Sequence, residues 1–104
     1  MKTTGEVKMM VKGVVHVRRA PYDVYIGRKC AEFPGTKWGN PYRVGVDGEG
    51  SLVMRLYRAW VIGNSFLMGS LPELDGKVLG CWCKKRGDEP CHGDVLAELV
   101  KELE

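Results

Sequence analysis

The period of the apolar residues changes along this chain, and the order of those changes restricts the fold more than any other feature. Residues 7–19 are rich in valine and alternate roughly between apolar and polar side chains, which predicts a strand. Short apolar runs at 24–27 and 77–83 predict two more strands, and helical spacing follows each of them, over 52–61 and 92–103. The order β-β-loop-α-β-α predicts an α/β fold, a small single-domain sandwich over residues 1–104 with a mostly parallel sheet and flanking helices.

The two helical segments carry further signals. Ser51 has the character of an N-cap residue for the first helix, and Arg55 and Arg58 fall off its apolar stripe. The last helix begins near His92 and presents one apolar face, with Asp94 in its first turn, where a carboxylate is favourable to the helix dipole.

Composition and charge narrow the class of protein. The sequence contains no run of about 18 apolar residues, so no membrane span is predicted. The N-terminal residues lack the apolar stretch of a secretory leader. We therefore expect a cytoplasmic protein with no membrane contact. Residues 1–46 hold nine Lys/Arg against three acidic residues. Such a basic half suits a nucleic acid or nucleotide phosphate, although a solvated basic face explains it equally well.

The four cysteines form the first candidate site. In a reducing compartment we expect metal ligands, catalytic groups or buried thiols, with disulfides the least expected use. A tetrahedral zinc ion would take Cys81, Cys83, Cys91 and His92, with Cys30 as an alternative ligand. Alternatively, Cys91 at the start of the last helix is a reactive thiolate. A third interpretation is that the thiols only pack in the strand, while His92 and Asp94 cap the helix.

The second candidate site is the Gly/Pro-rich loop that holds Trp38-Gly39-Asn40-Pro41. An Asn side chain can read the edge of a base, and Trp38 or Tyr42 can stack on it. Lys37 and Arg28 lie nearby in the sequence and suit a phosphate. The alternative is a turn in which Asn40 precedes the proline for backbone reasons and Trp38 fills the core.

Four motifs stand out along the chain: Val24-Tyr25-Ile26-Gly27-Arg28, Trp38-Gly39-Asn40-Pro41, Tyr57-x-x-Trp60 and Cys81-Trp82-Cys83 with Cys91-His92-Gly93-Asp94. Together they resemble a small family of domains of unknown function that is frequent in bacteriophage and prokaryotic genomes. The resemblance spans roughly residues 20–100 and implies a setting in nucleotide or nucleic-acid metabolism. Gly39-Asn40-Pro41-Tyr42 also resembles the motif loops of uracil-DNA glycosylases, in which a polar side chain positions water and an aromatic ring stacks on the base.

The leading hypothesis is a nucleotide- or nucleic-acid-binding domain whose site lies at the carboxyl edge of the sheet, where α/β folds collect ligands. As an enzyme it would act on an N-glycosidic bond, as DNA glycosylases do. The predicted catalytic residues are Asn40, His92 and Asp94, and the predicted substrate-binding residues are Arg28, Lys37, Trp38, Tyr42 and Cys91. The alternative hypothesis is a non-catalytic, zinc-stabilised DNA-binding or adaptor module.

Overall fold

Three strands, three α-helices and a 3₁₀ helix are present in the computed structural model, which describes residues 9–29, 33–42, 45–82 and 91–103. The predicted α/β class is confirmed. In chain order the elements are β1 (Gly13–His16), β2 (Val24–Tyr25), α1 (Gly50–Ile62), α2 (Ser65–Ser70), a 3₁₀ helix (Leu71–Leu74), β3 (Val78–Cys81) and α3 (His92–Lys101).

The sheet is parallel throughout, with β3 between β1 and β2. Leu79 of β3 is in register with Val14 on one side and with Val24 on the other. Because all three strands run the same way, their carboxyl ends, at His16, Tyr25 and Cys81, lie at one edge of the sheet. This arrangement confirms the predicted parallel sheet and places the carboxyl ends of β2 and β3 side by side.

Helix α3 packs directly against the strands, and α1 and the 3₁₀ helix pack against α3. Gly93 permits the close approach of α3, since a Cβ at this position would lie 2.5 Å from Cγ1 of Val14. The core between these layers includes fully buried Leu79, Leu96 and Val100. The start of α3 is therefore held firmly at the carboxyl edge of the sheet.

Two details of the helices differ from the sequence-based predictions. Helix α1 begins at Gly50 with Glu49 as its N-cap, so the prediction of Ser51 as the cap is wrong. The Ser51 hydroxyl donates a hydrogen bond to Glu49 Oε2 instead, at 3.4 Å. Helix α2 was not predicted, because six residues are too few to display a helical period. Its N-cap is Asn64, whose Oδ1 accepts a hydrogen bond from the Leu67 amide.

None of the helices in the described part of the chain is long and apolar enough to cross a membrane.

A glycine is required at the centre of the sheet. A Cβ at Gly80 would lie 2.6 Å from Cγ of Tyr22, close to the backbone of that residue rather than at a flexible end. We expect Gly80→Ala to lower the free energy of unfolding by about 1–3 kcal/mol, because Tyr22 has to move. The matched control is Gly69→Ala in α2, where a Cβ meets no atom within 4 Å and alanine favours the helix. Equal denaturant midpoints for the two variants would contradict this interpretation.

Candidate functional site

The start of α3 is joined to the end of β2 by a side-chain hydrogen bond. His92 Nε2 lies 2.7 Å from the backbone oxygen of Ile26. A carbonyl oxygen only accepts, so Nε2 carries the hydrogen and Nδ1 of the neutral ring is an acceptor. The Tyr57 ring packs against the imidazole edge-on, with the centroids 5.1 Å apart. The imidazole is therefore fixed in position and in tautomer.

The surroundings of His92 favour its neutral form. Burial lowers the pKa of this histidine below its ordinary value of 6.5, and the nearby Arg28 charge lowers it further. The hydrogen bond to Ile26 and the charges of Cys81 and Asp94 oppose that shift without overcoming it. Nδ1 lies 3.9 Å from Sγ of Cys91, so the acceptor nitrogen is next to a thiol.

Cys91 and Asp94 close the first turn of α3 by capping one another. The Gly93 amide donates to Sγ of Cys91 at 3.3 Å, and the Cys91 amide donates to Oδ2 of Asp94 at 3.2 Å. This is a capping box with cysteine in the place that serine or threonine usually takes. One alternative open from the sequence had His92 and Asp94 as the helix caps. Asp94 does cap the helix, but its partner is Cys91, because the His92 ring is bonded to Ile26. The capping box also fixes the Cys91 and Asp94 side chains at the sheet edge.

Arg28 holds the loop that follows β2 to the Asn40 segment. Its Nε donates to the backbone oxygen of Asn40 at 2.6 Å, and Nη2 donates to the backbone oxygen of Tyr42 at 2.8 Å. Oδ1 of Asn40 accepts from the Tyr42 amide at 2.9 Å across Pro41, which forms an Asx turn. Arg28 and Asn40 thus order the loop, as the turn interpretation of this motif expected.

A short chain of hydrogen bonds also steadies the backbone at Arg28. Trp82 Nε1 donates to the Tyr25 hydroxyl at 3.0 Å, and that hydroxyl donates to the backbone oxygen of Arg28 at 2.6 Å. The Phe33 ring stacks on Tyr25, with the centroids 4.6 Å apart. The ends of β2 and β3 are therefore linked by side chains as well as by the sheet.

Trp38 and Lys37 have partners inside the protein. The Trp38 residue is 2% exposed, and its backbone oxygen accepts from the Tyr57 hydroxyl at 2.7 Å. Base stacking, which the sequence suggested for this ring, needs a free face that the buried indole does not offer. Nζ of Lys37 is paired with Glu73 at 2.9 Å and lies over the Trp38 and Phe66 rings. The structure thus uses Trp38 as core, the alternative that the sequence had left open.

A groove of about 260 Å³ runs between α1 and α3 and contains two of the predicted residues, Cys91 and Asp94. Arg58 crosses it to Glu98 and Glu102, with nitrogen–oxygen distances of 3.5 and 3.2 Å. Arg55 is exposed. Sequence reasoning noted the two arginines only as residues off the apolar stripe, and that position was the signal that they face a second surface. The lining residues are Met54, Arg55, Arg58, Cys91, Asp94, Val95 and Glu98.

The thiols of Cys81 and Cys91 meet at the inner end of this region. Their sulfur atoms lie 2.8 Å apart, and both residues are buried. Two sulfur ligands of a tetrahedral zinc ion are about 3.8 Å apart, as follows from Zn–S bonds of about 2.3 Å. The pair would therefore have to open by about 1 Å to bind zinc.

Two of the predicted zinc ligands, Cys83 and Cys30, lie outside the described residues. Within the described ranges, no group of three or more His, Cys, Asp or Glu side chains is arranged to hold a metal. Zinc binding by Cys81, Cys83, Cys91 and His92 stays a prediction.

These features define an α/β protein whose candidate site lies at the carboxyl edge of a three-stranded parallel sheet. There the end of β3 and the N-terminus of α3 each contribute one thiol of a buried pair, and the helix adds a fixed histidine. A family model described as a domain of unknown function, DUF4326, matches residues 10–102, and the chain belongs to this family. The family membership expected from the sequence motifs is confirmed.

Two viral relatives resemble most of the chain. It is 37% identical over 95 residues to the uncharacterized protein R718 of Acanthamoeba polyphaga mimivirus, covering 79% of this chain and 69% of the relative. It is 35% identical over 95 residues to an uncharacterized 12.4 kDa protein from the nrdA-td intergenic region of Enterobacteria phage T4, covering 86% and 78%. No solved structure matches the chain.

The lowered pKa of His92 predicts a loss of stability at mildly acidic pH. The unfolded chain takes up a proton on this histidine near pH 6.5, whereas the folded chain does so only at lower pH. Its contribution is therefore full above pH 6.5 and is lost as the pH falls below that value. In a His16→Gln background, where His92 is the remaining histidine, the unfolding free energy should fall between about pH 7 and pH 5 more steeply than in the His16→Gln/His92→Gln variant. Parallel curves would contradict the assignment.

Proposed function

We propose that this protein binds a nucleotide, or a base of a nucleic acid, in the groove between α1 and α3, and that it cleaves or transfers at the N-glycosidic bond. The observation that carries the proposal is the set of groups around the groove. Arg55 supplies a positive charge from α1, Asp94 supplies a fixed carboxylate from α3, and Met54 and Val95 supply apolar surface. A nucleotide has the complementary parts, since its phosphate is anionic and its base has apolar faces and a polar edge.

The phosphate would lie towards Arg55. This side chain is exposed on the wall of the groove, whereas Arg58 beside it is already paired with Glu98 and Glu102. A guanidinium presents a fork of N–H donors that matches the oxygens of a phosphate. The orientation with the phosphate on α1 also keeps it away from Glu98 on the opposite helix.

The base or the sugar would lie towards Asp94. Oδ2 of this residue accepts the Cys91 amide, so the carboxylate keeps one orientation without the entropy cost of ordering it on binding. In cleavage, such a carboxylate orients the attacking water and stabilises the positive charge that develops on the sugar. Asp94 replaces Asn40 in this role, because Oδ1 of Asn40 is engaged with the Tyr42 amide.

His92 would support the reaction from behind Asp94. Its ring is held neutral by burial, and Nδ1, which lies 3.9 Å from Sγ of Cys91, is the nitrogen that would accept a proton in that tautomer. The basic N-terminal half of the chain suits a nucleic-acid substrate, and the proposal includes a cytoplasmic location.

The binding half of the proposal is tested by removing one charge from the groove. We expect Arg55→Gln to weaken the binding of nucleoside monophosphates and of a short single-stranded DNA by about tenfold, measured by calorimetry, because it removes a charged phosphate donor. The matched control is Lys77→Gln, which removes one exposed charge at the amino end of β3, at the opposite edge of the sheet. Absence of binding by the unaltered protein at millimolar ligand, or equal losses in both variants, would overturn the proposal.

The catalytic half is tested at Asp94. Free base released from uracil-containing DNA, normal DNA and nucleosides is measured by chromatography. We expect Asp94→Asn to reduce release by about 10²–10⁴-fold, while Asn keeps an oxygen for the Cys91 amide and so preserves the helix cap. Asp47→Asn, which removes an exposed carboxylate that does not line the groove, is the control and should retain release. Failure of the unaltered protein to release any base would remove the enzymatic half and leave the binding half to the Arg55 comparison.

A further inference from the structure

We propose that Cys81 and Cys91 are a reversible dithiol–disulfide pair, oxidised by low-molecular-weight disulfides that enter through the groove between α1 and α3. The sulfur atoms are 2.8 Å apart, closer than two unbonded sulfur atoms sit comfortably. Formation of a disulfide requires them to approach by less than 1 Å, to about 2.05 Å. Zinc binding would instead require them to separate by about 1 Å.

The positions of the two residues favour such a bond over a chance contact. Cys81 ends β3 and Cys91 is the N-cap of α3, so both backbones are fixed by regular structure. The register of β3 between its neighbours and the close packing of Gly93 on Val14 hold these two ends together. The pair therefore needs no loop closure before it reacts, and the entropy cost of bringing the sulfurs together has already been met by folding.

The two thiols have different surroundings and so different parts in the reaction. Both are buried, but Cys91 is among the residues that line the groove and Cys81 is not. The Gly93 amide at the helix N-terminus donates to Sγ of Cys91, an arrangement that stabilises a thiolate. Cys91 is therefore the attacking residue, and Cys81 is the residue that resolves the intermediate.

The reaction balances as two successive thiol–disulfide exchanges. The Cys91 thiolate attacks one sulfur of a small disulfide such as oxidised glutathione, forms a mixed disulfide and releases one small thiolate. The Cys81 thiolate then attacks Sγ of Cys91, forms the Cys81–Cys91 bond and releases the second small thiolate. The protein loses two protons and two electrons, and the small disulfide gains them as two thiols.

Oxidation would change the same groove that the proposed function uses. A Cys81–Cys91 bond links the end of β3 covalently to the N-cap residue of α3. It also weakens Sγ of Cys91 as an acceptor for the Gly93 amide. The capping box also orients Asp94, so oxidation of the pair would alter the orientation of the carboxylate that faces the groove. The proposal of a disulfide depends on the thiol geometry alone, so it can be tested independently of nucleotide binding.

The test is a redox titration of the full chain in the presence of a metal chelator. Samples are equilibrated with mixtures of reduced and oxidised glutathione, quenched in acid, alkylated and weighed by mass spectrometry. We expect the unalkylated chain to lose about 2 Da on oxidation, to lose two of its reactive thiols, and to regain them with excess reduced glutathione. Peptide mapping should place the bond between Cys81 and Cys91.

Two variants separate this pair from the other cysteines. Cys30→Ser/Cys83→Ser leaves Cys81 and Cys91 as the remaining thiols and should form the bond at the same glutathione ratio as the natural sequence. Cys91→Ser keeps a favoured N-cap oxygen for α3, so it should fold but lose no mass on oxidation. Four reactive thiols at every ratio, or a bond that uses Cys30 or Cys83, would overturn the proposal. Purified protein that holds zinc through both sulfurs and resists oxidation would overturn it in favour of a metal site.

Discussion

The hydrogen bond from His92 Nε2 to the Ile26 carbonyl is the contact on which the candidate site depends. It joins the first turn of α3 to the backbone just beyond β2, and Gly93 beside it allows the helix to approach the sheet. Because the histidine is buried and neutral, the bond satisfies two polar groups without placing a charge in the core. Everything that lines the groove from α3, beginning with Cys91 and Asp94, takes its position from this attachment.

Cys91 shows how one residue can serve structure and chemistry together. Serine would cap α3 at least as well, because an oxygen accepts backbone N–H groups more strongly than sulfur does. A cysteine at this position adds what serine cannot, namely a polarisable thiol in contact with Cys81 and beside Nδ1 of His92. Capping therefore explains why a small polar acceptor is present, but does not by itself explain the choice of sulfur. The redox pair supplies that explanation.

The sequence predicted the parts of the fold that have a clear period. Helices α1 and α3 and the three strands emerge from apolar spacing, and the order of these elements leads to a parallel sheet. Helix α2 has too few residues for a period to be visible. The site was harder to predict, because the surroundings of a residue depend on packing between elements far apart in sequence. Trp38 has an aromatic ring of the kind that stacks on a base, yet this side chain is buried on folding. Arg55 gains its place only when α1 packs beside α3.

The division of labour between the two sequence motifs follows from this packing. The Asn40 loop, with its glycine, proline and aromatic residues, has the form of a ligand-binding loop, but its polar groups are used by Arg28, Tyr42 and Tyr57. Such a loop is a rigid support rather than an adaptable contact. The cysteine and histidine motif instead lies where α3 begins, with one face on the sheet and the other on the groove. The proposed chemistry is therefore placed on this second motif, because Asp94 is fixed by the helix cap and also lines the groove, so that it needs little reorganisation when a ligand arrives.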